Sequence, residues 1–254
     1  MNTIADAIQK FFAGADSALT PFLAALTMIG VATMAIIQTI KDTTPFRRTF
    51  QAAALDAWLR EGADEANAGF GDALQRLGLA QVNPATAREQ LVRLSVDGEE
   101  KALFSLSVEQ MCGQMNSAVQ VALDYPTKYP HLLFVAASGA DAADAKALAD
   151  AAVSGASSLD DASRMALADA RNRVVHQLQR AIDGFQIKTS FRWKWWLQFA
   201  SFVLSFLLSW IALIPWQGAD GLTKIGAVLL TAAAAGFLAP VARDLTAALQ
   251  KMRG

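Results

Sequence analysis

The sequence predicts an all-α integral membrane protein, with three transmembrane helices and a helical cytoplasmic domain inserted between the first and second. Three observations predict it. Hydrophobic residues make up 54% of the 254 and charged residues only 18%, against about 45–50% and about 25% in an ordinary soluble domain. Three uncharged stretches are each long enough to approach or exceed a bilayer's hydrocarbon width. Basic clusters flank those stretches on one side only. The same composition excludes a disordered chain, a collagen-like repeat and a highly charged nucleic-acid binder, since 22 basic and 23 acidic residues leave a net charge of −1.

Residues 1–16 place Ile4, Ile8, Phe11, Phe12 and Ala15 on one helical face, with Asp6 and Lys10 elsewhere. That pattern suits an amphipathic interfacial helix; an extension of the following span is the alternative. Residues 17–40 form the first span, uncharged from Ser17 to Ile40, and a helix needs about 20 apolar residues to cross a ~30 Å core. Thr20, Thr27, Thr33 and Thr39 are tolerated there, because hydroxyls can bond back to the helix's own carbonyls. A cleavable signal peptide is not expected, since only Lys10 supplies positive charge ahead of a long apolar run.

The second span, 195–216, has Trp193, Trp195 and Trp196 at one end and Trp216 at the other. Indole rings favour the headgroup level, where the ring is apolar and its N–H stays wet. The third span, 223–242, is short and rich in alanine, and the turn with Gly218 and Gly221 makes it the second arm of a hairpin. Lys41, Arg47 and Arg48 follow the first span, Arg192 and Lys194 precede the second, and Arg243 follows the third. The positive-inside rule puts all of these in the cytoplasm, with the N-terminus outside and the tail, 243–254, inside. Trp193, Trp195, Trp196, Trp216, Arg47, Arg48, Arg192 and Lys194 are therefore the expected membrane-interface anchors, and the lipid bilayer the first partner.

Residues 41–194 form the cytoplasmic domain. Phe50, Leu55, Trp58 and Leu59 recur at helix spacing before Gly62. Asn83 and Pro84 suit an N-cap and a first helical position, and Asp97-Gly98 marks a turn. Ser107 caps a helix with Val108, Met111, Cys112, Met115, Val119 and Ala122 on its apolar face. The prolines after Tyr125 and Tyr129 break the chain twice, making either a recognition loop or a packed connection. Residues 136–158, rich in Ala, Asp, Ser and Gly, read as one short helix inside a mobile connection. Ser158, Asp160 and Asp161 then open a long helix whose stripe runs Leu167, Ala170, Val174, Leu178, Ala181 and Phe185 into the second span, with Gly184 as the expected bend.

No catalytic set emerges. His131 and His176 lack metal-ligand spacing, so neither metal nor cofactor is expected, and Cys112 sits on an apolar face where a small buried hydrophobe is the simpler reading. Cys112, His176 and Asp183 could be drawn as a nucleophile triad, but no local motif supports it. Six basic residues between Arg171 and Lys194 could attract anionic lipid; no nucleic acid is expected as a partner. Apart from Lys224 at the edge of the third, the spans contain no ionisable residue, which counts against an ion-coupled transporter. Ser201, Ser205 and Ser209 recur every fourth residue, and Ala232 and Gly236 do likewise. Small residues so spaced allow close helix packing; lining of an oligomeric pore is the alternative.

The layout resembles that of small bacterial inner-membrane proteins, which implies a multi-pass place in a bacterial inner (plasma) membrane. The expected function is non-enzymatic: a cytoplasmic helical domain that binds itself, as a homo-oligomer, or a membrane-protein partner. The alternative is an oligomeric channel gated by that domain.

Overall fold

The computed structural model describes residues 28–40, 44–155 and 160–213, together with Ile225, Leu229 and Ala233. The expected interfacial helix at 1–16, much of the first span, Trp216, Ala232, Gly236 and the tail lie outside the described residues. Among the described residues the chain is all helical, with no strand. Its helices are α1 (Met28–Ile40), α2 (Phe46–Gly69), α3 (Gly71–Arg76), α4 (Pro84–Val96), α5 (Glu100–Leu103), α6 (Val108–Asp124), α7 (Pro130–Ala136), α8 (Ala142–Ser154) and α9 (Asp161–Leu213). Two compact units divide the chain: Pro45–Trp193 forms one, and Met1–Thr44 with Lys194–Gly254 the other.

The Pro45–Trp193 unit is built around α7. Leu132 to Ala137 are all buried, and α2, α4 and α6 all pack against this helix. A helix apolar on every side has no amphipathic period, so its sequence shows only the Tyr129-Pro130 break that starts it. This second break is packed, since Tyr129 is buried and the first-turn N–H of Leu132 donates to Gln90 Oε1 at 2.9 Å, whereas Tyr125 at the first break is exposed. One of the donors a helix start leaves orphaned is thereby satisfied.

Gly62 does not interrupt α2, which runs on to Gly69. It is a contact residue. A Cβ there would lie 2.6 Å from the Val135 carbonyl oxygen and 2.9 Å from Val135 Cγ1, so only glycine admits the α7 backbone this close.

Local caps behave as their residue types dictate. Asn83 accepts from the Ala85 and Thr86 amides, with Pro84 at the first helical position of α4. Asp97 adopts a left-handed φ of 52° and Gly98 a φ of 92°, closing α4 and turning the chain. Ser107 and Gln110 cap each other's backbone in a reciprocal box at the start of α6. All six positions of the apolar face from Val108 to Ala122 are buried.

The described part of the 136–158 stretch, residues 136–155, differs from expectation. Their helix, α8, is docked rather than part of a loose connection. Ala145 and Ala149 enter the core, while Asp144 takes two hydrogen bonds from Arg173 of α9, at 2.8 and 2.6 Å. Asp150 pairs with Arg76 of α3 at 2.9 Å and with Lys146 at 2.8 Å. Alanine is small enough to bring the α8 backbone close, and the carboxylates that look solvent-facing in sequence are the clamps.

Asp160 caps α9 through the Ser163 amide, at 3.1 Å. The helix then continues unbroken past Gly184 for 53 residues. Its buried face in this unit is Ala170, Val174, Leu178, Ile182, Phe185 and Thr189; Ile182, not Ala181, carries the stripe. Trp58 of α2 packs on Phe185 with ring centroids 5.8 Å apart. At the end of the unit Trp193 lies against Phe46 and Phe50, at 5.7 and 5.1 Å. Arg47 donates to the Ser105 carbonyl and Gln51 Nε2 to the Leu106 carbonyl. The first and last residues of the unit therefore adjoin.

Gly62→Ala should cost about 1–3 kcal/mol, the usual range for overpacking, because the obstructing atoms are backbone. Gly113→Ala, where a Cβ meets nothing within 4 Å, should gain roughly 0.5–1 kcal/mol from helix propensity. Denaturant melts of the two full-length variants check both signs.

A second outcome concerns acid. The Arg173 hydrogen bonds hold the Asp144 carboxyl below the usual carboxylate range, outweighing the opposing effect of burial. A depressed folded value stabilises the fold above the unfolded carboxylate value of about 3.9, and that stabilisation is lost as pH falls through the folded value. Asp144→Asn should therefore melt below wild type at pH 7, with the gap closing as pH drops beneath about 4. Melting temperatures from pH 7 to pH 2.5 test this.

Candidate functional site

In the other unit, the face of α9 that carries Ser201, Ser205 and Ser209 is turned inward. The three serines are 4%, 0% and 0% exposed. Gly30 and Thr33, one helical turn apart, are buried on α1, and Thr33 Oγ1 lies 3.2 Å from Ser205 Oγ. That hydroxyl pair joins residues 172 positions apart. Thr39 bonds back to the Ala35 carbonyl at 2.8 Å, the behaviour expected of hydroxyls in an apolar helix. Thr33 uses its hydroxyl across the helix pair instead, so it belongs to the site although composition marks it only as tolerated. The signal was the small pair Gly30 and Thr33 at one-turn spacing. The Ser201 and Ser209 hydroxyls are buried with no hydrogen-bond partner among the described residues.

The outward face is the opposite in character. Trp195, Phe199, Phe202, Leu207, Trp210 and Ile211 are all exposed, Ile211 at 61%. Trp195 and Phe199 stack at 5.6 Å with their planes 6° apart, and Trp196 meets both edge-on. On α1, Met28 and Val31 are exposed, as are Ile225 and Leu229 further along the chain. Only 17% of the most apolar 18 residues of α9 is buried, whereas a soluble core helix buries most of such a stretch. One helix among the described residues, α9, is long and apolar enough to span a membrane.

The expected anchors divide. Trp195 and Trp196 are exposed in the aromatic cluster, and Arg48, Arg192 and Lys194 are exposed. Trp193 packs on Phe46 and Phe50, and Arg47 is held by the Ser105 carbonyl, so both serve the helical unit's closure. The expected packing pair Ala232 and Gly236 lies outside the described residues.

Several charged groups of the helical unit pair with one another. Arg88 Nη1 spans both Asp56 oxygens at 2.7 and 2.9 Å, its Nη2 reaches Glu100, and its guanidinium lies over the Phe104 ring. The open groove beside it, along α4 and the turn to α5, also carries Glu89, Arg93 and Asp97, so both charge signs line it. Burial pushes the Cys112 thiol up to about 12, with the charges of Glu109 and Asp183 adding to the shift. A nucleophilic thiol needs the opposite displacement. His131 is held below its ordinary value by burial, and its Nδ1 accepts the Asn83 amide at 3.1 Å; His176 is exposed. Among the described residues no group of three or more His, Cys, Asp or Glu side chains is placed to hold a metal ion. In comparisons with family models, curated proteins and solved structures, nothing matches this chain.

Ser205→Leu forces extra heavy atoms into a closed helix contact and should cost about 1–3 kcal/mol. Ser205→Ala keeps the volume and should cost only ~0.6 kcal/mol, the mean for hydroxyl bonds between membrane helices. Thr33→Ala combined with Ser205→Ala should then cost little more than either alone. Thermal melts of the full chain in detergent read all three.

Proposed function

We propose that this chain is a non-enzymatic, multi-pass integral membrane protein whose helical domain binds a partner or a second copy of itself at the membrane surface. The observation that carries the reading is the reversal of α9: serines buried at 201, 205 and 209, large apolar side chains exposed around them. Water drives the opposite arrangement, whereas hydrocarbon accommodates large apolar side chains at no cost and favours small, hydroxyl-bearing helix contacts. The adjoining ends of the helical unit add support, since a domain inserted between two spans must leave and re-enter at one surface. Basic flanks favour the cytoplasmic side, and the layout favours a bacterial inner membrane. The inert Cys112 thiol and the mutual pairing of Arg88, Asp56, Glu100, Arg173 and Asp144 favour a binding role over catalysis.

The second reading, an oligomeric channel gated by the domain, is favoured by one feature. Water in a pore would satisfy the Ser201 and Ser209 hydroxyls, which have no protein partner among the described residues.

Topology reporters separate right from wrong here. On the three-span arrangement, fusions after Gly254 and within 142–154 report cytoplasm and one near Asp220 reports the opposite side. A reversed signal at any of the three sites contradicts it. Cysteines at 201, 205 and 209 staying unlabelled by water-soluble thiol reagents favours packing, and rapid labelling of all three favours the channel.

A further inference from the structure

We infer that the end of the helical unit where the chain enters and leaves is a docking surface for anionic phospholipid headgroups. The proposal rests on the membrane reading above and adds the headgroup class. Three stretches meet at this end: the start of α2, the close of the unit's part of α9, and the Phe104–Ser107 connection, tied by Trp193 to Phe46 and Phe50, by Arg47 to Ser105 and by Gln51 to Leu106. Residues 44–55, 102–108 and 184–193 contain no acidic side chain, and they carry Arg47, Arg48, Lys188 and Arg192. Arg48 and Arg192 are exposed and have no ion pair or hydrogen bond among the described residues. Lys188 reaches Glu61 only at 3.5 Å, with both side chains more than 60% exposed, a pairing of little energetic weight.

Beside these cations stand exposed apolar side chains: Ile187 and Phe191, one turn apart on α9 at 71% and 69% exposure, and the open side of Phe46, whose ring also meets Trp193. Cations that bind phosphate, next to aromatic and aliphatic groups that enter the acyl boundary, are the combination an anionic bilayer surface takes. A water-exposed domain face gains nothing from Phe191. In the chain, Phe46 and Phe191 each stand within four residues of the apolar unit's boundary, where headgroups lie on the membrane reading.

The test uses the full chain with Cys112→Ala, reconstituted into vesicles of phosphatidylglycerol or of phosphatidylcholine, and a water-soluble maleimide. Phe191→Cys should label at least about fivefold more slowly in phosphatidylglycerol, and the difference should shrink at high salt, where exposed charges are screened. Adding Arg48→Gln, Lys188→Gln and Arg192→Gln should abolish it. Met165→Cys, on an exposed position of the same helix, should label equally in both lipids. Equal rates at 191 in the two lipids, a difference that survives the triple charge removal, or the same slowing in phosphatidylglycerol at 165 as at 191 overturns the proposal. Val203→Cys reads the underlying membrane reading separately: protection in both lipids upholds it, and rapid labelling in both contradicts it whatever position 191 does.

Discussion

Everything in this structure depends on the unbroken backbone ladder of α9, because one helix supplies the buried face of both units. Up to Phe185 that face is Ala170, Val174, Leu178 and Ile182, and polar groups stand outside. From Thr189 onward the buried positions carry hydroxyls, at 189, 201, 205 and 209, and the apolar groups stand outside. Side-chain size changes with chemistry. Leu178 and Phe185 fill a core thick enough to bury several helices, whereas serines permit a near approach of α1, whose own contribution is Gly30 and Thr33. On the membrane reading the reversal records a change of solvent along a single helix.

The helical unit solves a different problem. Its central helix, α7, is too short to be stable alone and is held by three neighbours. Gly62 lets α2 approach its backbone, and Gln90 of α4 completes its first turn. Around this centre, charged side chains are turned on one another: Arg88 links α2 to α5, and Arg173 links α8 to α9. Such pairs, partly open to water, contribute modestly to stability. At the closing end the cations Arg48 and Arg192 and the apolar side chains Ile187 and Phe191 stand exposed.

Sequence periodicity reveals elements that have one dry face and one wet face. The apolar stripe of α6, its Ser107 cap and the Asn83-Pro84 start of α4 are of this kind, and all are legible. α7 is dry on nearly every side and shows no period, whereas α8 reads as a short helix whose docking is hidden because it buries mainly alanines. Gly62 looks like a helix stop because its role, contact with Val135, lies 73 positions away. The serine stripe and the Gly30–Thr33 pair are each visible as spacing, but their pairing is not, since nothing local joins residues 33 and 205. Trp193 illustrates the converse: indole next to an apolar run reads as an interface anchor, and its ring is instead committed to Phe46 and Phe50.

The most direct test of the central claim is spin-label accessibility on the outward face of α9 in a bilayer. With Cys112→Ala as background, labels at Phe202 and Leu207 should be relaxed strongly by dissolved oxygen, which partitions into hydrocarbon, and weakly by a water-soluble nickel complex. A label at His176, exposed on the same helix within the domain, should show the reverse preference. If the nickel complex relaxes Leu207 as strongly as His176, the outward apolar face meets water, and the account of α9 as a helix that changes solvent is wrong.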